Sequence, residues 1–170
     1  MNDLVTERLV LHPLSVAEAR QLVADGPERP VHWGPEYPMD GDRRAMRHLL
    51  DRDEGDGPGH PGVFEIRRRE DGQAIGGIGF HGPADEHGSV TIGYGLIPSA
   101  RGRGYASEAL RGLLEFARAQ GFARVKGDAD HDNTASQRVM RSAGMRQVGQ
   151  DAQVVFFETA WDGAVPAPLG

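Results

Sequence analysis

The chain has 170 residues, 38% hydrophobic and 26% charged, with 24 glycines, 11 prolines and no cysteine. That is enough sequence for one globular domain, too hydrophobic for a disordered chain, and it lacks the roughly 18-residue apolar run of a membrane span. Zero cysteine excludes disulfides, thiolate nucleophiles and Cys-ligated zinc, and a net charge of −6 argues against nucleic acid as a partner.

Met1-Asn2-Asp3-Leu4 has no basic start followed by an apolar stretch, so no signal peptide is read and the expected location is cytoplasmic. Residues 6–12 alternate polar and apolar and predict a first strand ended by Pro13. Ser15-x-x-Glu18 is a capping box that opens a helix to about Asp25. Prolines and glycines make 26–41 an irregular loop, which carries His32, Trp33 and Tyr37. A second helix is predicted over 42–52, and an acidic, glycine-rich mobile loop over 53–62.

A meander of strands follows at 63–69, 73–81 and 88–97, with Asp71-Gly72 a two-residue hairpin signal between the first two. Arg67-Arg68-Arg69, beside Glu65, Glu70 and Asp71, reads as a solvated strand end. Segment 103–120 is the clearest helix: Ala106, Ala109, Leu110, Leu113, Leu114 and Ala117 share one face and Gly121 stops it. A strand at 123–130, a helix at 133–143 stopped by Gly144, and strands at 145–150 and 153–160 complete the pattern. The reading is one α/β domain over 1–160, a mixed sheet flanked by about four helices, with a frayed tail at 161–170.

Two glycine clusters invite a phosphate reading. Gly77-Ile78-Gly79-Phe80-His81-Gly82 fits G-x-G-x-x-G on paper, but Pro83-Ala84-Asp85-Glu86 and another strand follow it, not a helix. Pyrophosphate binding needs the helix, so this is a glycine-rich strand end with close packing. The second cluster is different. Ile92-Gly93-Tyr94-Gly95-Leu96-Ile97-Pro98 ends a strand, and Arg101-Gly102-Arg103-Gly104-Tyr105-Ala106 leads into the best helix. Unpaired N–H groups, the helix dipole, flexible glycines and two arginines together suit an anion.

Here the chain resembles the GNAT acetyltransferases. Arg101-x-x-Gly104-x-Ala106 matches their [Q/R]-x-x-G-x-[G/A] signature for the pyrophosphate of acyl-CoA. Thr6-Glu7-Arg8-Leu9-Val10-Leu11, Ile92-Gly93-Tyr94-Gly95-Leu96, Ala106-Ser107-Glu108-Ala109-Leu110 and Asn133-x-x-Ser136-x-x-Val139-x-x-x-x-Gly144-Met145 look like the RimJ/RimL-like ribosomal-protein N-acetyltransferase branch. The resemblance spans about 6–160. It implies a mostly antiparallel sheet in which two parallel strands part in a V. Acetyl-CoA would be the co-substrate, its pantetheine on the backbone near Leu96 and Ile97 and its pyrophosphate at Arg101, Gly102, Arg103, Gly104, Tyr105 and Ala106. Asn133 would reach the pantetheine, or serve as an ordinary helix cap. Arg138 and Arg141 divide between the 3′-phosphate and solvent.

The implied reaction is attack of a neutral amine on the thioester. The family often places a glutamate base where this chain has Thr91, and often a tyrosine acid where it has Met140. Glu108, His81, Asp130 and His131 are the candidate substitute bases, against plain roles in helix-dipole stabilisation or exposed turns. Ser136 is the candidate to hold the leaving thiolate. His32, Trp33, Tyr37, Phe80, His81 and Thr91 are assigned to the acceptor side, and the acidic run Asp51, Asp53, Glu54 and Asp56 to a solvated loop. The expected function is acetylation of a primary amine of a small molecule, with protein N-terminal acetylation and a non-catalytic acyl-CoA-binding module as alternatives. No metal is expected, since the seven histidines show no ligand spacing, and dimers are common in the family.

Overall fold

The stretch expected to be a single strand at 6–12 is broken by a turn. In the computed structural model, which describes residues 2–24, 29–53 and 61–161, β1 (Leu4–Val5) and β2 (Leu9–Pro13) pair antiparallel with Val5 opposite Val10. Thr6 makes the turn: its N–H donates to the Leu9 carbonyl, and the Leu9 N–H donates to its hydroxyl. The capping box forms as expected, Ser15 and Glu18 exchanging backbone-to-side-chain bonds at the start of α1 (Val16–Ala24).

The second helix, α2 (Asp40–Asp53), begins earlier than the predicted 42 because Asp42 caps it. Its Oδ2 accepts the Met39 N–H at 2.9 Å, and its own N–H donates to the Met39 carbonyl. Glu54 and Asp56 of the acidic run lie outside the described residues, as does the tail from 162.

Strands β3 (Val63–Arg68), β4 (Ala74–Phe80) and β5 (Ser89–Leu96) form the meander. Asp71-Gly72 does turn the chain, with Gly72 at φ +74°, but residues 69–73 make the connection instead of two. A register shift at Ile66/Arg67 and a bond from the Gly72 N–H to the Arg68 carbonyl lengthen it. The arginine triplet is solvated at Arg69, which is exposed, and half-buried at Arg67 and Arg68, and all three have partners. Arg67 pairs with Glu65 and Arg68 with Asp71, while Arg69 donates to the Thr6 and Glu7 carbonyls.

Then come α3 (Tyr105–Ala119), β6 (Arg124–Asp130), α4 (Thr134–Ser142), β7 (Arg146–Gln150) and β8 (Val154–Ala160). The eight strands form one sheet in the order β1-β2-β3-β4-β5-β6-β8-β7, antiparallel everywhere except between β5 and β6. Strand alternation sends Leu11, Phe64 and Phe80 toward α3, where Phe116 meets both rings edge-on or tilted and Gly112 lets Leu11 approach. Helices α1 and α2 pack on each other, α2 also against β3, and bury Ala19, Leu22 and Met46.

The parallel pair is short. Strands β5 and β6 join only at Ser89–Arg124, Val90–Val125 and Thr91–Lys126. Beyond these, β5 runs on to Leu96 and β6 to Asp130 without pairing each other, so the sheet opens as a V and leaves backbone groups for a ligand. No helix among the described residues is long and apolar enough to cross a membrane.

Candidate active site

A groove of about 540 Å³ runs between the end of β5, the start of α3 and α4. Its anionic seat follows from the backbone. Gly102 and Gly104 stand at φ +78° and +81°, a left-handed conformation that costs a side chain about 1–2 kcal/mol. Gly104 caps α3 with no side chain supplying the bond, so the first N–H groups of a 15-residue helix open outward. Leu96, Arg101, Gly102, Gly104, Tyr105, Ala106, Asn133 and Ser136 all border the groove, as does Arg138. Two expected members do not. Ile97 is buried with its N–H on the Ile75 carbonyl, and Arg103 turns its carbonyl to the Arg8 guanidinium.

The side chains around the groove are held in place. Arg101 Nε donates to the Leu96 carbonyl at 3.0 Å, fixing the guanidinium at the tip of β5. Asn133 caps α4, its Oδ1 accepting the Ser136 N–H at 3.1 Å. Its amide nitrogen makes no bond among the described residues, so capping and ligand contact are compatible in one side chain. Arg141 lies over the Phe157 ring and donates to Gln147, outside the groove.

Tyr94 is the residue the sequence reading missed on this side. Its hydroxyl crosses the mouth of the V to within 2.7 Å of Ser136 Oγ and donates to the Ser136 carbonyl at 3.1 Å. Burial raises its pKa, against a smaller opposing pull from Ser136. Met140, at the position where the family often has a tyrosine, is fully buried, its sulfur 2.9 Å from where a Cβ at Gly127 would stand.

The substitute bases separate cleanly. Glu108 does not border the groove; Oε1 takes Arg8 Nε at 2.7 Å, and Oε2 takes the Arg8 N–H and the Thr6 hydroxyl. Burial opposes its charge, but Thr6 and Arg8 outweigh that and hold the carboxyl below the ordinary glutamate value of 4.5. It ties the β1–β2 turn to the start of α3. Glu108→Gln is expected to cost about 2 kcal/mol at pH 7 by chemical denaturation. A lowered carboxylate stabilises above its unfolded pKa and loses that contribution as pH falls through the folded one. The difference between wild type and variant therefore closes in acid. His131 donates from Nε2 to the Asp151 carbonyl at 2.6 Å, and neither it nor Asp130 borders the groove.

A second hollow of about 390 Å³ lies on the α2 side of β4 and β5. Phe80 and His81 border it, and His81 Nε2 lies 2.4 Å from where a Cβ at Gly93 would stand. It shares Tyr94, Gly95 and Arg101 with the first groove, so the two hollows meet across β5. His32, Trp33 and Tyr37 do not border it. They gather around buried Glu65: Trp33 Nε1 donates to Oε2 at 3.3 Å, His32 Nε2 lies 3.1 Å from Oε1, and Trp33 meets Tyr37 edge-on. Burial and the Glu65 carboxylate push the Tyr37 phenol far up. Thr91 borders a third, separate hollow of about 400 Å³ with Lys126, Asp128 and Phe156.

Asp42 is the second residue missed. It borders the 390 Å³ hollow, and burial, aided by Glu65, lifts its pKa to about 6 against the Met39 N–H and Arg43.

The sequence profile of the acetyltransferase (GNAT) domain matches residues 8–146. Among curated proteins, the chain is similar to two uncharacterized N-acetyltransferases of Bacillus subtilis (strain 168). YoaA is 34% identical over 92 residues, 54% of this chain and 52% of its own, and YjdG is 32% identical over 80 residues, 46% and 48%. The matches thus span about half the length of these relatives. Among solved structures, an acetyltransferase from Agrobacterium tumefaciens str. C58 is 25% identical with a TM-score of 0.65, covering 95% of both chains. The ribosomal-protein-S5-alanine acetyltransferase of Vibrio fischeri has a TM-score of 0.70 at 13% identity, covering 96% of this chain and 98% of that one. RimL, a ribosomal L7/L12 alpha-N-protein acetyltransferase solved with coenzyme A, has a TM-score of 0.66 at 18% identity, covering 94% and 98%. At such identities these last two share a fold with the chain. With the profile spanning the V, the glycine turn and the uncapped helix, the chain belongs to the GNAT acetyltransferase family.

Proposed function

We propose that the protein is an acetyl-CoA-dependent N-acetyltransferase acting on a primary amine of a small molecule. One observation carries this: a groove suited to an anionic, extended donor meets a smaller, half-open hollow at Tyr94, Gly95 and Arg101. The residues fit acyl-CoA. The turn at Gly102–Gly104 and the first N–H groups of α3 suit a pyrophosphate, with Arg138 a further cation at the groove. The unpaired edge of β5 beyond Thr91 suits the amides of a pantetheine, with the Asn133 amide nitrogen as an added donor.

Acetyl-CoA supplies an activated acyl group on a sulfur that leaves as a thiolate of pKa near 8.5. The chain's part is to hold both partners and manage protons. The Tyr94–Ser136 hydroxyl pair stands where the V meets the second hollow and can direct a hydrogen bond at developing negative charge. Positioning of the two reactants contributes several kcal/mol of barrier lowering by itself. A protein N-terminus is the second reading. It is favoured by the third hollow, whose open face with exposed Val148 and Phe156 could accept an extended peptide.

The test is acetyl-CoA binding followed by thiol release over a panel of small amines and short peptides. Acetyl-CoA at 100 times its Kd should add about 2.7 kcal/mol of stability. Ser136→Ala should lower kcat roughly tenfold, the worth of one hydrogen bond to a charged group, with acetyl-CoA affinity unchanged. Tight binding without release from any amine or peptide would turn the reading to an acyl-CoA-binding module. Absence of binding would overturn it.

A further inference from the structure

Thr91 leaves the V without a carboxylate on its own strand, yet one stands on the other side of β5. Asp42 belongs to the first turn of α2, and only Oδ2 is used in capping that helix. Oδ1 has no hydrogen-bond partner among the described residues and lies on the floor of the hollow, 2.4 Å from where a Cβ at Gly77 would be. Any side chain at Gly77 would displace it. Gly77 is paired with Gly95, one of the three residues that border both hollows, and adjacent strands lie about 4.8 Å apart. The carboxylate is therefore one strand from the junction.

The surroundings of Oδ1 restrict what it can receive. Met39, Ala45 and Val63 wall the hollow, and glycines floor it. The charged or titratable groups around Asp42 are Tyr37 from the loop before α2, His81 just after β4, Tyr94 on β5, Arg101 after β5, Glu65 from β3 and Arg43 on its own helix. A volume of about 390 Å³ sits at the low end of small-molecule sites, which run from about 300 to 1,000 Å³. A cationic head and a compact apolar body fit that set.

We propose that Asp42 receives the acceptor, its Oδ1 pairing with the ammonium of a small apolar monoamine and taking its proton at the junction of the two hollows. This rests on the acetyl-transfer reading. The ammonium gives one proton to Oδ1, and the freed lone pair forms the C–N bond at the acyl carbon. The C–S bond breaks with its electron pair on sulfur, and a second proton from nitrogen passes to that sulfur. Asp42 releases its proton to solvent as the amide leaves. Burial has already moved the carboxyl to about 6, so it is charged at neutral pH yet basic enough to share a proton.

Asp42→Asn separates this role from capping, because an amide oxygen still accepts the Met39 N–H. Wild type, Asp42→Asn and His81→Gln are assayed for CoA release with acetyl-CoA and 2-phenylethylamine, tryptamine, spermidine or an Ala-initiated peptide. Acetyl-CoA affinity and thermal unfolding are measured alongside. The expected result is release with the first two amines. Asp42→Asn should lose about 100-fold in kcat/KM for the amine while acetyl-CoA affinity and folding stay as in wild type. The wild-type kcat/KM should fall in acid through pH of about 6; that limb should vanish in Asp42→Asn and persist in His81→Gln. Retention of amine kcat/KM within threefold with the acid limb intact would overturn the inference and leave acetyl transfer standing. So would release only with spermidine or the peptide. Acetyl-CoA binding with no release from any acceptor would overturn both.

Discussion

Gly76→Ala destabilises the protein by about 3 kcal/mol in chemical denaturation and abolishes acetyl-CoA binding, although residue 76 does not border the groove. A Cβ at this position would stand 2.1 Å from the Gly95 carbonyl oxygen and 3.0 Å from the Leu96 Cα. Both are backbone atoms, so no rotamer relieves the overlap. Either β4 and β5 separate, or the free arm of the V, Gly95 and Leu96, swings out of line. An alanine that left both stability and acetyl-CoA affinity unchanged would show that the arm is slack, and the groove would then lose its claim to be preorganised.

Gly104→Val weakens acetyl-CoA binding by roughly 3.5 kcal/mol, several hundred-fold by calorimetric titration, with a smaller loss of stability. A branched side chain at φ +81° is strained wherever it points, and its Cβ would stand 3.3 Å from Arg8 Nη2. That guanidinium group donates through Nη1 to the Arg103 carbonyl, so the substitution also disturbs the turn that precedes α3. Unchanged affinity would place the pyrophosphate away from this helix start.

Much of this arrangement is legible in the sequence, for local reasons. Helix α3 was expected at 103–120 and spans Tyr105–Ala119, because its apolar face and its Gly121 stop are written in consecutive residues. The close packing expected of the Gly77 cluster is present: Gly77 and Gly79 admit Asp42 and Val63 at distances no side chain would allow. The misses share one cause. Asp42 sits among Asp40, Gly41, Arg43 and Arg44, where nothing local marks it out, and Glu65 lies beside an arginine triplet and reads as part of a solvated strand end. Their burial comes from elements distant in the chain, a glycine floor on β4 for one and the loop carrying Trp33 and Tyr37 for the other. Tyr94 stood in a recognised string, but its bond to Ser136 depends on how far β5 and β6 part, which no local pattern encodes. The hairpin at Asp71-Gly72 is longer than its turn residues suggest because the register of β3 shifts before it.

The three rungs that join β5 to β6 have a mechanical meaning. Five strands on one side and three on the other hang from a hinge of three residue pairs, stiffened by the contact of α3 with α4. A donor lying along β5 would act as mortar in that seam, replacing the ladder that the parting strands give up. Loading would then rigidify the whole sheet, and the second hollow, which shares Tyr94, Gly95 and Arg101 with the groove, would gain its final shape only when the seam is filled.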